Sequence, residues 1–175
     1  MTVDTLDVFS WHRAPRSEFN LTKGRGLYAL FLREVAGLSN VVPGREGLIY
    51  IGKAGGSRGL KGRCHFLGST RNHSPRKSLA VLLKDELSLE PIIVRKPNSP
   101  PTWALHADSE AKLSQWMQEN LLLAVTDCED PGPIESLLIQ KHAPALNLTG
   151  CPQLEAHVAI SMGRKLIQDQ VNAGG

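Results

Sequence analysis

The sequence predicts an α+β domain: a small, mainly antiparallel central sheet of about three strands, flanked by helices. Three observations lead there. Short apolar runs rich in strand-forming residues stand at 26–32, 47–52 and 120–126, separated by stretches with glycine, proline and asparagine. Apolar residues recur at three- and four-residue steps through 79–87, 113–117 and 154–171, which is helical spacing. The chain has 175 residues, 41% hydrophobic and 21% charged, enough for one domain with its own core and too few for two of ordinary size.

Residues 1–23 are polar and irregular, with Trp11 the one large apolar anchor, and read as a peripheral arm. Gly26–Leu32 reads as a strand buried on both faces, because its apolar run does not alternate. Gly37–Arg45 is a connection, and Gly47–Gly52 a second strand antiparallel to the first. Leu60, Cys64 and Leu67 fall at i, i+4, i+7 and predict a helix; Leu79, Leu82, Leu83 and Leu87 predict another, with Pro75 just ahead of it. A short edge strand is expected at 90–95, ended by a loop over Pro97–Pro101. Asp108 or Ser109 caps a helix through Gln118 that turns Leu113, Trp116 and Met117 inward. The third strand is 120–126. A helix over 134–142 carries Pro133 in its first turn, Ala143–Asn147 leaves it extended, and a last amphipathic helix covers about 154–171.

Composition removes several classes of function. No apolar run approaches the length needed to span a bilayer. Met1–Ser10 contains Asp4 and Asp7 in place of a basic lead and apolar core, unlike a signal peptide. Three cysteines (Cys64, Cys128, Cys151) are odd in number and lack CxxC spacing, which speaks for reduced thiols in a cytoplasmic protein and against disulfides or a cysteine zinc site. Net charge is only +3, yet Gly47–Lys84 holds eight lysines and arginines and no acid, leaving −5 for the remainder. Such a segment attracts phosphates. Its glycines, serines and Thr70 let backbone N–H groups and hydroxyls join Lys53, Arg58, Lys61, Arg71, Arg76 and Lys77 as phosphate contacts. A solvated basic face is the plainer explanation of the charges alone. Gly47–Ala54 imitates a P-loop, but its intervening residues are apolar strand residues and Ala54 has no hydroxyl for magnesium.

The two tyrosines of the chain sit beside glycine in the first two strands, as Gly26-Leu27-Tyr28 and Tyr50-Ile51-Gly52. With Leu60-Lys61-Gly62-Arg63, and Glu135 followed twelve residues later by Asn147, they resemble the GIY-YIG nuclease superfamily, in the family's order from residue 26 to 147. The resemblance implies a GIY-YIG-like fold and a divalent-metal-dependent DNA endonuclease. One Mg²⁺ or Mn²⁺ per site would be held by Glu135 and water, since a hard cation suits oxygen ligands. Tyr28 or Tyr50 would position or deprotonate the attacking water, Arg63 would bind the scissile phosphate, and Asn147 would hold the end of the site. Glu135 could equally complement a helix N-terminus.

The family usually has a histidine or tyrosine one helical turn after the arginine; here that position is Leu67. His65 lies two residues on, nearly opposite Arg63 on a regular helix, but shares a face with Lys61. His65, Lys61 and His73 all remain open for this role. The step from Tyr28 to Tyr50 is longer than the family's usual hairpin and suggests an insertion around 35–46.

The expected organisation is an arm (1–23), a catalytic domain (24–150) and a C-terminal helix (151–175) packed on it. DNA is the expected partner through its phosphate backbone, with no membrane; a targeting partner or homodimer is left open. Two rival readings stand beside the enzyme: a catalytically inactive nucleic-acid-binding module on the same scaffold, and a protein-interaction domain docking through the last helix.

Overall fold

The computed structural model describes residues 7–34, 38, 41–63, 66–152 and 154–173. His65 and Cys64, and part of the 35–46 insertion, lie outside the described residues. A four-stranded antiparallel sheet has the order β1 (Arg13–Ala14), β6 (Leu121–Asp127), β2 (Gly26–Leu32), β3 (Leu48–Ala54). A separate hairpin pairs β4 (Pro91–Lys96) with β5 (Ser99–Leu105). Among the described residues four α-helices complete the fold: α1 (Ser74–Leu82), α2 (Ala107–Asn120), α3 (Pro131–His142) and α4 (Glu155–Ala173). The architecture is the expected α+β one.

Strand β2 explains why. All seven of its residues are buried, because both sheet faces are covered. Leu27, Ala29, Phe31, Leu48 and Ile51 meet Ile134, Leu138 and Ile139 of α3. On the opposite face Tyr28, Leu30, Leu32 and Leu123 meet Leu79 of α1, Leu113 and Met117 of α2, Trp103 of the hairpin, and Ile160 and Ile167 of α4. The C-terminal helix is therefore part of the main core, and Gly163 is where it meets α1: a Cβ there would overlap the Val81 side chain. Among the described residues no helix is long and apolar enough to cross a membrane.

Several local expectations are corrected. Of the predicted helix over 60–67, the described residues form a single 3₁₀ turn, Leu60–Gly62, after which Arg63 leaves helical geometry. Backbone bonds to another segment hold that turn: Leu60 N–H donates to Gly24 O (3.0 Å) and Lys61 N–H to Thr22 O (2.8 Å). Gly59 and Gly68 have positive φ, and Leu67 faces solvent instead of the core. Part of the supposed arm is structural: Arg13–Ala14 adds an edge strand to β6, and Val8 and Trp11 are buried against the α3 face. Ser99–Leu105, partly read as a loop, is a strand despite Pro100 and Pro101. A two-stranded hairpin has two free edges, so a missing N–H there need not break a ladder. Helix α2 is capped by His106, not Asp108 or Ser109; the Ser109 hydroxyl instead accepts from Glu90 N–H (3.0 Å). Ala143, expected to be extended, closes α3 in the left-handed region at φ 42°.

Arg76 is the largest correction to the charge reading. Its side chain is fully buried and cannot reach a phosphate. Its Nη2 meets Glu110 Oε2 at 2.6 Å and its Nη1 donates to Ser114 Oγ at 3.1 Å. Glu110 also accepts from the Thr70 N–H (2.6 Å) and hydroxyl (2.8 Å), so one carboxylate ties α1 and the preceding loop to α2. Removing one partner of a buried pair strands the other charge. Glu110→Ala should cost about 3–5 kcal/mol in urea unfolding; a loss below about 1 kcal/mol, typical of surface pairs, would contradict this role.

Candidate active site

The site begins with strand register. Tyr28 on β2 stands directly opposite Gly52 on β3, and Tyr50, two residues before Gly52, projects from the same face. Gly52 is required by space: a Cβ would overlap the Tyr28 ring and hydroxyl and come within 2.8 Å of Tyr50 Cε1. The rings lie 6.0 Å apart at 34°. Their hydroxyls share a hydrogen bond that favours ionisation of Tyr50 and disfavours that of Tyr28, the sense expected if Tyr28 donates. Burial raises Tyr28 well above the ordinary phenol value, with Tyr50 and Glu135 adding to the rise and Arg63 opposing it. Burial also raises Tyr50, but the Tyr28 bond and the charges of Arg63 and Arg164 pull it back. Tyr50 is the more readily ionised of the two.

Arg63 follows the short 3₁₀ turn, and its guanidinium is exposed. Glu135 lies in α3, which packs on the other sheet face, yet near the helix start its charge still acts on both phenols. Its carboxylate is mostly buried, and Oε2 meets Lys53 Nζ at 2.7 Å. Asn147 does not face solvent. Its Nδ2 donates to Ile51 O (2.8 Å) and its Oδ1 accepts from Ile51 N–H (2.9 Å), which fixes the strand residue between Tyr50 and Gly52. The structure thus brings Tyr28, Tyr50, Arg63 and Glu135 into one electrostatic neighbourhood, with Asn147 bracing β3 behind it.

The basic residues divide. Arg58 and Lys61 line a cavity of about 440 Å³ with Lys23, Gly62 and His73. Burial lowers the His73 pKa, with Arg76 and Arg63 adding to the effect, so His73 is neutral at neutral pH beside Arg63. Arg71 and Lys77 are half-buried near the start of α1, and Arg76 belongs to the core. Arg164, which sequence reasoning did not single out, also bears on Tyr50. Nothing in the spacing of an amphipathic helix distinguishes it from an ordinary surface arginine. Among the described residues no three of His, Cys, Asp and Glu cluster as a metal site.

The sequence model of the GIY-YIG catalytic domain matches residues 26–166, well over half the chain. The chain belongs to this family. A hydrolytic, nuclease-type function follows in general terms, with DNA as the implied class of substrate. The family is generally dependent on a divalent metal. No curated protein and no solved structure matches the chain. The matched span runs through residue 166, within α4, the helix whose Ile160 and Ile167 also lie in the main core.

Two predictions follow from the tyrosine geometry. Gly52→Ala should cost about 1–3 kcal/mol in chemical denaturation and weaken the phenol–phenol bond; an unchanged stability would show that the rings have room to move. Both folded phenols bind protons more tightly than unfolded ones. Their contribution to stability is complete below the unfolded value near 10 and is lost as pH rises through the folded values. Phenolate absorbance in Tyr28→Phe and Tyr50→Phe variants should titrate above the free-phenol value in both, because burial raises each phenol; titration at the free value in folded protein would contradict the burial.

Proposed function

We propose that this domain is a divalent-metal-dependent DNA endonuclease whose reacting groups are Tyr50, Tyr28, Arg63 and Glu135. The reading is supported by the family match and by the strand register that sets Tyr28 and Tyr50 on one face against Gly52, with Arg63 and Glu135 near enough for their charges to bear on both phenols.

The donor set fits the expected cofactor. Glu135 is one carboxylate whose oxygen already receives a cation, the Lys53 ammonium, and a single carboxylate plus retained water suits Mg²⁺ or Mn²⁺ better than zinc. Glu135 would hold one such ion, which when bound lends positive charge to the developing charge on the phosphate. Arg63, exposed beside the phenols, binds the scissile phosphate and neutralises charge as phosphorus becomes pentacovalent. Tyr50 positions the attacking water through its hydroxyl and, once that phenol has lost its own proton to solvent, accepts the proton of the water. Tyr28 stays protonated and donates to the Tyr50 oxygen, stabilising it when ionised. The water oxygen bonds to phosphorus, the bond to the bridging oxygen breaks, and that oxygen leaves with a proton. The ammonium of Lys61, which lines the cavity with His73, can supply the proton that the leaving oxygen takes. Lys53, freed from Glu135, adds a phosphate contact. Asn147 is a positioning residue through Ile51.

One observation favours the alternative of an inactive nucleic-acid-binding module: the Lys53–Glu135 pair engages the carboxylate that the ion needs. Cleavage of plasmid, branched and single-stranded DNA with Mg²⁺ or Mn²⁺ separates the two. The enzyme reading expects metal-dependent nicking that falls at least about a hundredfold in Glu135→Gln and in Arg63→Ala while the fold survives. DNA binding without cleavage of any substrate supports the inactive module, and full activity in Glu135→Gln contradicts the assignment.

A further inference from the structure

A second cationic cluster lies beside the tyrosine pair, and neither the motif nor the family match assigns it. It is built on the start of α1. Ser74, Lys77 and Ser78 occupy one face of that helix at i, i+3 and i+4. Arg164 of α4 is docked there through Nη2, which donates to Ser74 O (2.5 Å), Ser74 Oγ (3.3 Å) and Ser78 Oγ (2.8 Å). Lys77 Nζ donates to Thr102 Oγ1 (3.2 Å) and lies 4.9 Å from the centre of the Trp103 ring, which holds it under the β4–β5 hairpin. Arg71 enters from the 3₁₀ turn Thr70–Asn72 that leads into the helix.

Three features set this cluster apart from a solvated basic face. The side chains of Arg71, Lys77 and Arg164 are half-buried, so their charges are not fully screened by water. Burial, then Arg164 and Arg71, lowers the pKa of Lys77, and no carboxylate contributes to offset them. Burial also lowers that of Arg164. Finally, Nε of Arg71 and Nε of Arg164 are both buried and have no hydrogen-bond acceptor among the described residues. Buried donors are normally matched, and unmatched ones are costly. Like charges gathered at a helix N-terminus are the conditions an anion relieves; the Nε groups are closed to solvent, so the anion would be met by the exposed parts of these half-buried side chains.

We propose that Arg71, Lys77 and Arg164 form a second phosphate site, which takes a backbone phosphate neighbouring the scissile one on the same DNA strand. Position supports this choice of ligand. Arg164 acts on Tyr50 as well as on Lys77, so the cluster adjoins the proposed reacting phenols. Successive phosphates of one strand could then fill the two sites together. In this arrangement α4 fixes the register of the strand across Tyr50 and is more than a lid on the core. The inference rests on the nuclease reading for its partner, DNA, but not on catalysis.

Counterion release supplies the test. A 30-base-pair duplex is titrated, with chelator present to prevent cutting, against wild type, Lys77→Gln, Arg164→Gln and Arg71→Gln. Lys141→Gln, on exposed α3 surface, serves as the control cation. Each cluster variant should weaken binding irrespective of base sequence and reduce the slope of log affinity against log salt by about 0.9. Lys141→Gln should leave the slope as in wild type. Lys77→Gln guards against the possibility that Arg164→Gln loosens α4; circular dichroism checks the fold of each. Wild-type slopes in folded Lys77→Gln and Arg71→Gln would overturn the second site, as would an equal loss in the control. If the wild type binds no duplex at all, the DNA-directed reading fails and takes this inference with it. If it binds and cuts DNA but the slopes do not change, only this inference fails.

Discussion

The pairing of Tyr28 with Gly52 across β2 and β3 is the constraint on which the rest of the site depends. A side chain at residue 52 would occupy the space of a phenol, so the two tyrosines can share a face only because one strand carries a glycine where the other carries a ring. Side chains alternate with a period of two, and a one-residue slip would turn Tyr28 to the α3 face. The seven buried residues of β2 oppose that slip, since it would reverse both hydrophobic faces at once. Asn147 adds a local brace by hydrogen bonding both backbone groups of Ile51, immediately between Tyr50 and Gly52. The site thus rests on strands, which hold geometry better than loops do.

Around this rigid centre, charge is used in two ways. Glu110 and Arg76 spend theirs internally: the pair is buried, and the same carboxylate collects Thr70, so it organises the loop leading to α1. The remaining cations of the basic segment reach the surface or its edge. Some line the cavity beside Gly62, and some gather at the start of α1 with Arg164. Glu135 approaches the phenols from the α3 side, where Lys53 meets it. Interior and exterior roles for neighbouring arginines make the positive segment a framework as well as a contact surface.

The strands were legible in the sequence because they are buried on both faces, and a buried strand appears as an unbroken apolar run. The glycine–tyrosine pairs were legible because the fold needs both residue types at fixed positions. Other features had no such signature. Strand β1 is two residues long and shows no period. Strand β5 contains two prolines, which signal a loop unless the absence of an outer neighbour is known. The stripe Leu60, Cys64, Leu67 imitated a helix, but glycines at 59, 62 and 68 and backbone bonds to Thr22 and Gly24 impose a turn, which removes the basis for placing His65 by helical geometry. Arg76 looked like its basic neighbours because its acid, Glu110, lies 34 residues away in sequence. Arg164 escaped notice for the same reason: its partners Ser74 and Ser78 are 90 and 86 residues distant.

In the proposed function, two phenols, a guanidinium and a carboxylate drawn from four separate segments gather about one phosphate. A crystal structure of the Glu135→Gln variant with a bound DNA duplex tests this directly. The expected result is a single backbone phosphate within hydrogen-bonding distance of the Arg63 guanidinium and the Tyr50 hydroxyl, facing residue 135. DNA lying on another face of the molecule, or passing with every phosphate clear of Tyr28 and Tyr50, would contradict it.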